Sequence, residues 1–421
     1  MNILKQYSGS IAKFLAENKW LILSCFLNLI IQVIIAVIYF NPIDFVLQVE
    51  TAREIAQGKV LYRDINQIIY EGSILPNPQY PPLYLYTLAA LMFIAGVDAF
   101  SYNMVKIFLI LVNFIVAFLI YHLINTNYGK IMAILAFNWF LLNPSTLGIT
   151  LGGYHEYFML LFVLLAYHCF NHERMTWSGI CFGLALLVKP IAGVYIIPIL
   201  IWGLKKRKMT SIYIGIVASL TFTIVSLPFL LLAPAEYITD VFLVHTNRLD
   251  PSMSFYVYIF TDLSPTLFPF ILQLLLFSII GVILFHKIQF KDPMEIYIGV
   301  LPFITIFLAF NRILYPHYIP MIFPFITLSL FLLIDRHRHV LPKKNTLWQI
   351  YGYIFGLGVV YVGYIWWSIL WSMEGFGSYR TNIYFPISAG ICIGGLLIIT
   401  IISLWSIITM ASVKNRNEIH V

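Results

Sequence analysis

Asp44, His155, Glu156, Lys189, Arg312 and His317 are the residues of this 421-residue chain whose types and settings could do chemistry. Asp44 opens the stretch NPIDFVLQVETAREIAQGKVLYRD, just where an apolar run ends. A carboxylate there is either a plain helix N-cap or a base aimed into a cavity, and both readings stand. His155 and Glu156 follow paired glycines in TLGGYHEYF. Lys189 precedes Pro190 inside the otherwise apolar GLALLVKPIAGVYIIPILIWGLKKRK. Asn311, Arg312, Tyr315, His317 and Tyr318 cluster in AFNRILYPHYIP. A guanidinium keeps its charge and its fork suits a phosphate. Tyr315 and Tyr318 read as interfacial anchors.

The elements that must position these residues follow from composition. The chain is 61% hydrophobic and 10% charged, whereas soluble domains are about half apolar and a quarter charged. It reads as an all-α polytopic membrane protein. Candidate spans cover 20–40, 104–124, 131–148, 157–171, 177–188, 191–204, 210–232, 266–285, 295–310, 318–334, 347–371 and 384–409, which makes about 12 transmembrane helices. With the N-terminus inside, alternation puts most of the 25 basic residues in cytoplasmic segments and most of the 18 acids outside. That is the positive-inside rule, so the net charge of +7 reflects topology and not nucleic-acid binding. Both termini are expected in the cytoplasm.

The same rule decides two ambiguous places. A full span over 83–97 would invert every later loop, so this stretch is expected to dip only partway. Residues 41–103 then form one long first extracytoplasmic loop. Arg174 and the run Lys205, Lys206, Arg207, Lys208 flank the second place, and two spans keep both on the inside. Lys189-Pro190 is then the outward tip of a hairpin. A helix over 177–188 reaches about 18 Å at 1.5 Å per residue, against a hydrocarbon core of about 30 Å. The tip therefore lies below the outer surface, where an ammonium either snorkels outward or faces an anion.

Within the first outer loop, Phe45, Val46, Val49, Ala52 and Ala56 recur at helical spacing, and Gln48, Arg53, Glu54 and Gln57 take the other face. This predicts an amphipathic helix on the outer surface, stopped by Gly58. NPQYPPLYLY predicts a rigid extended entry into the embedded segment. A partly helical lid is expected over 233–265. DRHRHVLPKK is cytoplasmic, and its Arg336 and Arg338 oppose a metal cation between the histidines. Cys25, Cys169, Cys181 and Cys392 all lie in apolar runs, with no zinc spacing. Neither a phosphate loop, a dinucleotide fingerprint, HExxH nor CxxC occurs, and no cytoplasmic domain is large enough to bind a nucleotide.

The ordered set of Asp44, TAREIAQGKVLYRD, YPPLYLY, GGYHEYF, LALLVKP and NRILYPHY resembles the GT-C superfamily of membrane glycosyltransferases. It is most similar to the bacterial branch that uses polyprenyl-phosphate sugars, including the mannosyltransferases that use polyprenyl-phosphate mannose. The resemblance runs from residue 20 to about 320. It implies a GT-C-like catalytic module over 1–330 and additional C-terminal transmembrane helices over 331–421. It implies Asp44 as catalytic base, with His155 or Glu156 as a second active-site group. Lys189, Arg312 and His317 would hold the donor phosphate, and Tyr62, Tyr80 and Tyr154 would line the substrate loop. The implied partners are a polyprenyl-phosphate sugar donor, a lipid or glycan acceptor and the membrane lipids. The implied reaction needs no metal or cofactor and inverts the anomeric centre. No Asp-x-Asp or Glu-x-Asp pair accompanies Asp44, and the His-Lys-Glu motif of endoplasmic-reticulum mannosyltransferases is absent. A secondary transporter or flippase, or a lipid-binding scaffold, are the alternatives from other classes. The gathering of acids on the outside and the lack of internal repeats weigh against a transporter.

Overall fold

The computed structural model describes residues 2–38, 42–65, 67–70, 73–75, 80–97, 101–206, 208–243, 267–288, 295–311, 314–339, 343–374 and 384–419. Arg312, and His245, Arg248, Asp250 and Asp262 of the expected lid, lie outside them.

Among the described residues every expected span overlaps helix. In chain order the helices are α1 (Asn2–Val37), α2 (Ile43–Ala56), α3 (Pro82–Ala95), α4 (Tyr102–Tyr128), α5 (Lys130–Leu141), α6 (Pro144–Gly152), α7 (Glu156–Asn171), α8 (Met175–Leu186), α9 (Gly193–Lys206), α10 (Lys208–Leu232), α11 (Pro234–Ile238), α12 (Leu267–Lys287), α13 (Glu295–Phe310), α14 (Phe323–His339), α15 (Lys343–Glu374) and α16 (Tyr384–Ile419). A 3-10 turn over Pro190–Ala192 precedes α9, and a 3-10 helix over Pro316–Ile322 leads into α14. Strands β1 (Ile68–Tyr70) and β2 (Ser73–Leu75) form a small antiparallel ladder between α2 and α3, an addition to the all-α expectation.

Among the described residues, 6 helices are long and apolar enough to cross a membrane, or up to 7 if a bent pair is one span. The bent pair is α5 and α6, which meet at 47°. The cause is local. Asn143 caps α6 by accepting from the Ser145 backbone at 2.9 Å, and Pro144 at the first helical position cannot continue α5. The run read as one span over 131–148 is therefore broken. Helices α7, α8, α9 and α13 have 16, 12, 14 and 16 residues, so each is shorter than the ~20 residues of a usual crossing. Helix α3 has 14 residues, about 21 Å.

Small residues and buried amides hold the bundle. A Cβ on Gly179 or Gly183 of α8 would come within 2.6 Å of Val217 or 2.5 Å of Thr221 on α10, so these helices meet backbone to backbone. Asn28 of α1 donates to Asn138 of α5 at 2.8 Å, and Gln32 donates to the Leu141 carbonyl at 3.0 Å. Helix α2 forms where expected and ends at Gly58, whose φ is +96°. Gln48, assigned to its solvent face, is instead buried, because α2 packs on α3 as well as on its own apolar side.

Candidate active site

Four separate segments bring their polar residues together, and a fifth adds apolar wall. The first is the turn between α6 and α7. Gly153 has a left-handed φ of +65° and closes α6: its N–H bonds Thr150 O, and Tyr154 N–H bonds Ile149 O at 3.1 Å. A Cβ on Gly153 would lie 2.5 Å from the Phe45 ring, so the turn is pressed against the first turn of α2. Asp44 sits in that first turn, half-buried. It is near enough for its charge to act on Tyr154 and Glu156.

The hairpin tip supplies the second segment. Leu187 and Val188 turn after α8, and Lys189 is extended at φ −149°, ψ 130°, as a residue before proline prefers. Lys189 is 5% exposed and Glu156 0%. Lys189 Nζ donates to Glu156 Oε1 in a buried ion pair. The anion that faces this lysine is thus a residue of the chain, on an element 33 positions away.

The third segment is Tyr80-Pro81 at the entry to α3. Pro82 occupies the first helical position, so Leu83 is the next residue with an N–H to place; it donates to the Leu187 carbonyl at 3.1 Å. One bond satisfies an orphan at each helix end and ties α3 to the hairpin tip. Tyr62 Oη donates to the Tyr80 carbonyl from below. Tyr62 is fully buried, edge-on to Phe229 and Tyr237, and offers no surface to a substrate. Its positive φ of 67° marks a tightly held position. Tyr62 therefore braces the loop.

The fourth segment is the 3-10 helix with His317 and Tyr318. His317 Nε2 lies 3.9 Å from Glu156 Oε1, and Tyr154 stacks on the His317 ring at 4.3 Å. The Tyr318 ring lies 4.8 Å from Lys189 Nζ and the Tyr80 ring 5.5 Å, both at cation–π distance. His155 stacks on Tyr84 at 4.4 Å and meets Tyr80 edge-on at 5.1 Å. Neither of its ring nitrogens has a hydrogen-bond partner among the described residues. Burial, and then the Lys189 ammonium, push this imidazole well below its ordinary range, so it is neutral.

A cleft of about 200 Å³ opens beside the pair, and Val241 and Phe242, after α11, supply the fifth segment of its wall. Lys189, Tyr80, Tyr318 and Asn311 are its polar lining, and Ile191, Val241, Phe242 and Phe307 its apolar lining. Of the residues singled out from sequence, Asp44, Tyr80, Tyr154, His155, Glu156, Lys189 and His317 converge here, and Tyr62 stands behind them. Sequence reading missed Tyr84 as the platform under His155 and took Tyr318 for a membrane anchor. The only available signal was the density of tyrosines around YPPLYLY and LYPHY.

The family comparison matches residues 79–301, just over half of the 421-residue chain, to glycosyltransferase family 87. The crystal structure of ArnT from Cupriavidus metallidurans bound to undecaprenyl phosphate shares the fold, with a TM-score of 0.54 at 14% identity over 94% of this chain and 78% of that one. The same protein in the apo state gives 0.52, with the same identity and coverage. A comparison with curated proteins finds no match. The fold is accordingly of the GT-C type that the sequence resembles, in a multi-pass membrane protein. With the Tyr80-Pro81 entry to α3, the paired-glycine turn, the hairpin tip and several apolar helices inside the matched region, the chain belongs to glycosyltransferase family 87.

Proposed function

We propose that this glycosyltransferase moves a sugar from a polyprenyl-phosphate donor to a lipid or glycan acceptor outside the cell membrane. The sugar is mannose or another hexose or pentose. The observation that carries the reading is a buried lysine in the wall of a half-apolar cleft, with a carboxylate-bearing helix start close by. Phosphate and isoprenoid need those two kinds of lining. The lipid phosphate bound by the ArnT structure supports the donor class.

In this reading the donor's phosphate lies on Lys189, with Arg312 and His317 completing its shell, and its isoprenoid lies along Ile191, Val241, Phe242 and Phe307. Asp44 takes the proton of the acceptor hydroxyl as that oxygen attacks the anomeric carbon. The carbon–oxygen bond to phosphate breaks, and the growing negative charge is met by the Lys189 ammonium. A single displacement inverts the centre, and the cations make a metal unnecessary. Glu156 is less suited to act as base than Asp44, because its carboxylate is engaged by Lys189. Residues 1–330 form the catalytic module and 331–421 extend the bundle, with both termini cytoplasmic and the cleft facing out. The test is transfer of radiolabelled sugar from a panel of polyprenyl-phosphate sugars in purified membranes. Product from one of them is the expected result; none from any, with intact protein, sinks the reading.

A further inference from the structure

Glu156 holds Lys189 through Oε1, while its Oε2 has no hydrogen-bond partner among the described residues. A fully buried carboxylate is thus only half engaged, beside a cleft that its own cation lines. We propose that Glu156 is the resident counter-ion of the phosphate site: an incoming phosphodiester displaces it from Lys189, and the released carboxylate takes up one proton from water. This rests on the reading of Lys189 as the donor-phosphate cation.

Charge balance makes the case. In the empty site one ammonium faces one carboxylate. A bound phosphodiester adds a second anion to the same cation. With Arg312 completing the phosphate shell as proposed above and Asp44 counted beside Glu156, the loaded site would set three anions against two cations; that excess is costly in a buried volume, and a neutral carboxylic acid restores two of each. The groups that face Glu156 bear this out. Lys189 comes from the hairpin tip, His317 from the 3-10 helix, and Asp44 from α2. Tyr154 and His155 come from its own turn, Tyr157 is its neighbour on α7, Tyr84 comes from α3 and Tyr195 from α9. The phenols and the neutral His155 supply no positive charge, and Asp44 is a further anion. Once Lys189 turns to the phosphate, His317, His155 and Asp44 are the other described groups here that could take the proton, and loss of the pH dependence in Glu156→Gln separates Glu156 from all three.

The consequence is a phosphodiester affinity that depends on pH. Uptake of one proton makes binding about tenfold weaker for each unit of rising pH. The probe is farnesyl methyl phosphate, whose single negative charge does not titrate near neutrality, bound to the full-length protein in detergent. The wild type is expected to show that slope from about pH 6 to about pH 8. Glu156→Gln is expected to bind independently of pH, and more tightly than wild type at the alkaline end. An indicator dye in weak buffer should report about one proton taken up per probe bound to the wild type, a readout that needs no variant. His317→Asn is expected to keep the slope; loss of it there would assign the proton to His317 and overturn the proposal. Lys189-dependent binding that is flat with pH and takes up no proton would also overturn it, leaving the phosphate reading intact. Undiminished binding by Lys189→Met would instead remove the phosphate reading itself.

Discussion

Lys189 and Lys205 mark the two ends of one helical hairpin and meet opposite fates. At the tip, Lys189 is buried, paired with Glu156 and ringed by Tyr80 and Tyr318. At the base, Lys205 donates to the carbonyls of Phe285 and Ile288, each at 2.7 Å, at the end of α12. There the cation fills a routine need, since the last carbonyls of a helix lack partners and carry the negative end of its dipole. At the tip the end of α8 is served by backbone N–H groups instead, Leu187 O by Leu83 and Ala185 O by Val188 and Lys189. The same side chain is a cap where it meets backbone at an interface, and part of a site where it meets a carboxylate inside the protein. What surrounds a membrane lysine, more than its presence, tells the two apart.

The contrast can be broken at its frame first. In a chain with its four cysteines replaced, a single cysteine at position 206 should resist an impermeant reagent applied from outside, and one at position 71 should react. Labelling at 206 would place the base outside and undo the topology. Asp44→Asn comes next, with turnover expected to fall about 10²–10⁴-fold while donor binding stays close to normal. Near-normal turnover would shift the base elsewhere. Lys189→Met should lower single-turnover transfer about 10²-fold and weaken donor binding, with insertion and purification unchanged. Lys189→Arg should recover only part of that loss, roughly a tenfold deficit remaining, because charge is kept and geometry is not. The smallest effect belongs to Lys205→Met. It should cost about 0.3–1 kcal/mol of stability, read as a slightly lower melting temperature, with transfer essentially intact. Equal losses of activity at 189 and 205 would erase the distinction between tip and base.

Much of the frame was legible because lipid imposes it. Apolar runs of the right length gave the helices, and basic loops fixed the hairpin with Lys189 at its tip. The short reach of α8 was readable from residue count alone. The pairing of Lys189 with Glu156 was not, since nothing local in either segment names a partner on another element. Gln48 was misplaced for a related reason: periodicity describes one helix face, while α3 covers a second. The break at Pro144 was readable from Asn143-Pro144 but was overshadowed by the apolar run around it. Tyr84 escaped notice because an aromatic in an apolar helix carries no mark of what it stacks on.

The bond from Leu83 N–H to the Leu187 carbonyl also sets an order of events during synthesis. Its two residues are separated by about a hundred positions, so at roughly 5–20 residues per second the donor waits some 5–20 s for its acceptor to be made. Over that interval Asp44, Tyr80 and the start of α3 already exist, and the cleft that Tyr80 and Pro81 will line does not. The ribosome thus delivers Asp44 and Tyr80 well before Lys189, and α3 can pack on α2 at once but has no acceptor for its Leu83 N–H until the hairpin tip is made.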